Sequence, residues 1–221
     1  MSEIQNLSIN IEDFDNPPVK ALKMYEAVHE LLAEGVDAAS IKVSDITKRA
    51  GIGKGTAYEY FSTKEEIIAK ALYYELYVDI KAVISVIYGE GSFKEKYFII
   101  LDYMWNNNMK SNTFKTLVSV MHGTSNPENA FSGFGVGACM ATNGGEAMSD
   151  SACFIENALN YFVGQAVSEG LITEENDTFR KNAFCSQLLM YIFFLQDKSQ
   201  EFDRDKVQQF IYDGMIKMLN D

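Results

Sequence analysis

Apolar residues recur at helical rather than strand spacing along most of the chain. Between Ala21 and Gly35, the residues Met24, Ala27, Val28, Leu31 and Leu32 line one face, and Gly35 supplies a stop. Val43, Ile46 and Ala50 repeat that spacing over a shorter stretch. Ser44 is a better start for it than Lys42, because a hydroxyl can accept from free helical N–H groups. Gly51 ends it, since glycine takes the left-handed conformation without steric cost. A second short helix is expected to open at Gly53 to Thr56, with Ala57, Tyr58 and Phe61 inward and Lys54, Thr56 and Tyr60 outward. Ser62 or Thr63 then caps a long helix, with Glu65 and Glu66 in its first turn to suit the dipole. Its apolar positions Ile67, Ile68, Ala71, Leu72, Leu76 and Ile80 carry it to Tyr88, where Gly89 and Gly91 follow.

The rest of the chain reads the same way. Helices are expected over Phe93–Met109, with Tyr97, Leu101, Met104 and Trp105 inward, and over Thr113–His122. Gly123–Gly145 is rich in Gly, Ser, Asn and Thr and reads as a loop or irregular helix. Glu146–Gly170 returns to helix with a stripe of Phe154, Ala158, Tyr161, Phe162 and Ala166. Glu174–Lys198 and Asp203–Asn220 form a terminal pair with strong apolar faces: Phe184, Leu188, Tyr191, Ile192 and Leu195 on one, Val207, Phe210, Ile211 and Met218 on the other.

Two short helices joined by a glycine turn, with a third helix close behind, have the layout of a helix-turn-helix that offers one helix to a DNA major groove. The segment resembles the DNA-binding domain of the tetracycline-repressor (TetR) family. Ile46, Ala50-Gly51-Ile52, Gly55-Thr56, Tyr58, Tyr60-Phe61 and Lys64-Glu65-Glu66-Ile67 carry the resemblance, and the helix from Ala21 to Gly35 fits the family's first helix. Two positions depart from the pattern. Lys42 stands where a Thr cap is common, which moves the cap to Ser44 and adds a phosphate contact. Thr47 stands where Ala is common, and its hydroxyl can bond back to a carbonyl one turn earlier.

The helical spacing and the resemblance together give an all-α protein, and the acidic composition of its first residues adds a leader, so that the chain reads in three parts. Residues 1–16 are an acidic leader, 17–62 the helix-turn-helix domain, and 63–221 a larger helical domain for ligand sensing and dimerisation. The resemblance also implies a homodimer through residues 174–220, as a two-fold symmetric operator requires. A small-molecule inducer in the central region is implied too, with release of the operator through movement of the long helix.

Charge sharpens this picture. The chain of 221 residues carries a formal net charge of −12, which by itself argues against DNA. Yet residues 40–64 hold five basic and two acidic residues, whereas 65–221 hold 12 basic and 21 acidic. A small basic face on an acidic body is what a local phosphate-contacting surface needs, and the body opposes non-specific binding. DNA contacts are expected from Lys42, Ser44, Lys54, Gly55, Thr56, Tyr58, Tyr60 and Lys64. Lys54 could donate to guanine O6 or N7, Tyr60 to a phosphate, and Gly55 acts by the absence of a side chain.

The inducer site is expected among Phe98, Trp105, Met109, Met121, His122, Phe154, Asn157 and Tyr161, where Met and aromatic side chains favour a mostly apolar ligand. Control of the C-terminal part by a partner protein is the alternative, favoured by a closed and fully packed core. No cofactor, metal or membrane contact is expected. The three cysteines are odd in number and scattered, as for reduced thiols in a cytoplasm. Gly133 to Ala138 matches a dinucleotide-binding spacing, but no strand pattern precedes it. No nucleophile, base and orienting acid can be assembled, so an enzyme is not expected.

Overall fold

A computed structural model describes residues 14–108, 150–173, 184, 186–188, 190–191, 194–195 and 203–220, with backbone alone for 107–108 and 150–156. The helices expected over Thr113–His122 and the Gly-rich segment 123–145 lie outside the described residues. All regular structure among those described is helical. The helices are α1 (Val19–Ala33), α2 (Val43–Ala50), α3 (Lys54–Tyr60), α4 (Lys64–Tyr88), α5 (Phe93–Asn108), α6 (Asp150–Ser168) and α7 (Arg204–Asn220). Helical residues between Phe184 and Leu195 precede α7. None of these is long and apolar enough to cross a membrane.

The described residues form two compact units, one up to Ile80 and the other from Lys81 on. The first is built from the stripe foreseen on α1. Met24, Ala27, Val28, Leu31 and Leu32 pack with Ile41, Val43, Ile46, Ala57, Phe61, Ile67, Ala71 and Leu72 into one core. Each fully buried large aliphatic side chain here contributes about 1.5–3 kcal/mol. α1 ends in a Schellman turn, with Gly35 at φ 86° and Val36 N–H donating to the Leu31 carbonyl. The same closure recurs after α2, where Ile52 N–H donates to Thr47 and Gly51 sits at φ 65°. That left-handed residue turns the chain sharply enough to place α3 across α2.

The leader does not stop short of the fold. Phe14 is 2% exposed and its ring lies 6.0 Å from Tyr74 and 5.9 Å from Tyr77. Tyr77 donates its hydroxyl hydrogen bond to Asp15. A lone aromatic in an acidic stretch gives no periodicity, so nothing in its sequence setting marks Phe14 for burial.

The second unit is organised by aromatics. Phe93 and Tyr97 of α5 meet Phe162 of α6 and Phe184, with centroid separations of 4.4 Å for Phe93–Phe162 and 5.4 Å for Phe162–Phe184. Lys96 is 2% exposed and donates to the Ile87 carbonyl at the end of α4 and to Gln165 of α6, both at 2.9 Å. Glu169 accepts from Phe93 N–H at 2.9 Å, satisfying the start of α5.

Two expected faces are corrected. Tyr161, expected on the inner stripe of α6, is 49% exposed, its ring tilted against Tyr88 at 4.9 Å. On α7 the buried residues are Gln208, Ile211, Tyr212, Met215 and Leu219, while Phe210 is 62% exposed. Gln208 can be buried because its amide donates to Asp102 at 2.7 Å and to the Tyr191 hydroxyl at 3.1 Å.

Candidate nucleic-acid interface

The interface is built on α2, the Gly51–Gly53 turn and α3. The N-cap of α2 is Lys42, two residues before the Ser44 cap preferred from the sequence. A lysine side chain has no lone pair with which to cap. The Asp45 carboxylate instead accepts from the Lys42 backbone N–H at 3.1 Å. Ser44 is therefore released from capping, and its hydroxyl lies on the exposed surface. Thr47 is buried and its hydroxyl donates back to the Ser44 carbonyl at 3.3 Å, so the departure at this position is absorbed within α2.

α3 is held by Ala57 and Phe61, four residues apart and both buried. Lys54 and Gly55 are exposed, and Thr56 is half-buried. The two tyrosines exchange the places expected of them. Tyr58 is 51% exposed, whereas Tyr60 is half-buried and its ring lies 6.4 Å from Phe61. In a helix of two turns the position after Ala57 points away from the core, and the position before Phe61 flanks it. Gly55 has open space around it: a Cβ there would meet nothing within 4 Å. The fold itself places no demand for glycine at this site.

The basic residues divide into two sets. Arg49 is committed to α1, donating to both oxygens of Glu34 at 2.6 and 2.8 Å. This pairing holds the Glu34 carboxyl below its usual range and raises the Arg49 guanidinium. Lys64 reaches back to the Ala39 carbonyl at 3.0 Å, closing the loop between α1 and α2 onto α4. The start of α4 is capped from within, because Glu66 N–H donates to Thr63 Oγ1 and Ser62 N–H to the Glu66 carboxylate. Lys42, Lys48 and Lys54 remain exposed. Lys48 was counted in the local charge but not singled out; its place in the last turn of α2 is the signal that would have found it.

Residues 25–71 match the family model described as bacterial regulatory proteins, tetR family. The N-terminal domain belongs to the TetR family. No curated protein matches the chain by sequence. Solved structures share its fold. FadR, a fatty acid degradation regulator from Bacillus halodurans, is 17% identical over 91% of this chain and 95% of its own, with a TM-score of 0.63. A TetR transcription regulator from Haloarcula marismortui is 14% identical over 91% and 98%, with a TM-score of 0.64. FadR from Bacillus subtilis, solved in complex with stearoyl-CoA, is 16% identical over 90% and 99%, with a TM-score of 0.57.

Within this TetR-family domain the exposed residues Lys42, Ser44, Lys54, Gly55 and Tyr58 all lie on α2, α3 or the residue just before α2. Of the residues named for a ligand, those described lie on α5 and α6. Phe98 is half-buried, 5.5 Å from the Tyr212 ring, and Trp105 is half-buried on the same helix. Asn157 and Tyr161 are exposed on α6. Met109, Met121, His122 and the side chain of Phe154 lie outside the described residues. What the second unit does hold is a buried phenol. The Tyr97 hydroxyl has no hydrogen-bond partner among the described residues, and burial pushes its pKa up so that it stays protonated.

Proposed function

We propose that this protein is a homodimeric transcription repressor whose N-terminal units read a palindromic operator and whose C-terminal unit releases it on binding a small apolar ligand. The observation that carries the reading is the division of charge on the helix-turn-helix: Arg49 and Lys64 are spent on the fold, while Lys42, Lys48 and Lys54 stay exposed beside Tyr58. Phosphates and base edges are acceptors these exposed ammonium groups can meet. Lys54, exposed at the start of α3, is the base-reading candidate. Lys42, Lys48, Ser44, Tyr58 and Thr56 are assigned to the backbone, and Gly55 to close approach. Lys64 and Tyr60 serve the fold first and contact phosphate only at the rim.

Dimerisation through residues 174–220 draws support from α7. Val207, Gly214 and Met218 fall on one strip beside its buried face, and Phe210 stands exposed next to them. A long acyl chain is the ligand class to try first. What supports it is that a protein of like fold was solved with stearoyl-CoA and that the Tyr97 hydroxyl, buried in the second unit, has no hydrogen-bond partner among the described residues.

The test is fluorescence anisotropy with DNA from upstream of the gene and with a scrambled duplex, across a salt series. Salt-sensitive preference for the native duplex, lost in Lys54→Ala and relieved by stearoyl-CoA but not by free CoA, is the expected result. Equal, weak binding to both duplexes would sink the repressor reading. Indifference to every acyl compound would sink the ligand class alone.

A further inference from the structure

His29 lies on α1, on the side of the helix that faces α4. Its Nε2 is 3.0 Å from the Ala71 carbonyl oxygen, and its Nδ1 is 2.8 Å from Glu75 Oε2. Both partners are acceptors. A neutral imidazole donates from one nitrogen only, so it leaves a lone pair facing an oxygen at the other. Only the imidazolium satisfies both contacts.

The position of this pair matters as much as its chemistry. α4 is anchored in the first core through Ile67, Ile68, Ala71 and Leu72. From Tyr73 to Val83 no residue of α4 is buried. Ala71 and Glu75 therefore straddle the point at which α4 leaves that core. Beyond it the ring contacts of α4 with the first unit are those of the half-buried Tyr74 and Tyr77, against Tyr25 and Phe14, and the His29 bridge is a polar tie between α1 and α4 at the same level. The charged groups that act on the ring are Glu75 and Asp79, both from α4. On α1, Glu26 is exposed one turn earlier, and Glu30 is engaged by Arg49 of α2 at 3.5 Å.

We propose that His29 is a proton-controlled latch between α1 and α4, closed as the imidazolium, and that the closed latch holds the helix-turn-helix in its operator-reading form. The second half rests on the repressor reading above. Burial of the ring alone would lower its pKa, but the Glu75 hydrogen bond and charge, the Ala71 carbonyl and Asp79 together outweigh it and raise the value above 6.5. The stabilisation is therefore fully present below about pH 6.5, the unfolded value, and is lost as pH rises through the raised folded value. Deprotonation frees α4 where it leaves the first core, and operator affinity falls.

Two measurements on the full-length protein decide it. The chain has two histidines, so the ring NMR signals of His29 and His122 are separable with a His122→Gln variant. His29 is expected to titrate above the ordinary imidazole value, and Glu75→Gln to move its midpoint down. Operator affinity is then read from about pH 6 to about pH 8.5, on a duplex selected from a random pool by the wild-type protein; one linked proton permits up to tenfold loss per pH unit. Wild type and His122→Gln should lose several-fold more affinity than His29→Gln or Glu75→Gln. A His29 ring that titrates at or below the ordinary value would overturn the latch. So would a His29→Gln variant with the wild-type pH profile. Should His29→Gln fail to fold, the wild-type titration and Glu75→Gln still decide. Failure to select any duplex at any pH would refute the repressor reading and the operator half of the proposal, while the ring titration would still judge the latch.

Discussion

Gly55 separates the demands of the fold from those of DNA more cleanly than any other residue of the interface. Glycine inside a helix costs about 0.5–1 kcal/mol against alanine, and none of the described residues crowds a Cβ at this position. Gly55→Ala should therefore raise the melting temperature while weakening operator binding, because the added methyl stands between α3 and the groove. A variant that is more stable and binds as well as wild type would remove Gly55 from the interface. The tyrosines give a matching contrast. Tyr58→Ala should leave the free energy of unfolding within about 0.5 kcal/mol of wild type, as for an exposed side chain, and lower operator affinity. Tyr60→Ala should lower stability, because its ring packs beside Phe61. If thermal unfolding instead ranks Tyr58→Ala as the less stable of the two, the assignment of their roles is inverted.

At the scale of elements, the N-terminal extension and α7 show where sequence patterns lose their grip. Phe14 is expected to act as an anchor for the chain on α4, because it is buried against Tyr74 and Tyr77. Phe14→Ala should destabilise the first unit by about 3 kcal/mol, the lower end for a buried Phe, in a denaturant melt. A loss under about 0.5 kcal/mol, typical of surface sites, would show that the ring is dispensable. The helix-turn-helix was legible because its signals are local: the spacing of Val43, Ile46 and Ala50, the left-handed Gly51, and the Thr63–Glu66 cap all act within a few residues. α7 was legible as a helix but not in its facing. Its inner side includes Gln208, a polar residue that apolar counting discards and that only Asp102 and Tyr191, distant in sequence, make suitable for burial. The same holds for Lys96, whose burial depends on acceptors at Ile87 and Gln165. Within the candidate site, residue identities could be read from the sequence. The sorting of its cations into paired and free could not, because Glu34 meets Arg49 only after α1 and α2 have packed.

That sorting decides how a chain of net charge −12 can hold a polyanion. The acidic body raises the electrostatic work of approach over many ångströms, and salt screens it, since the Debye length is about 8 Å at physiological ionic strength. Contacts at the interface behave oppositely, because each phosphate neutralised releases counterions and adds about 0.9 to the dependence of log affinity on log salt. The change in slope on removing one cation therefore shows whether that cation meets phosphate. Lys48 and Arg49 are neighbours in sequence with the same formal charge, yet only Lys48 is available. Lys48→Gln should reduce the salt slope by about one for each copy bound. Arg49→Gln should leave the slope near wild type, because its guanidinium is already neutralised by Glu34 and carries no phosphate counterion exchange. Its cost should appear instead in the docking of α2 on α1, as a lower melting temperature. Anisotropy titrations of both variants over a salt series distinguish the cases. An equal fall in slope for the two would mean that Arg49 leaves Glu34 for phosphate when DNA arrives, and that the free cations of this interface are four in each copy rather than three.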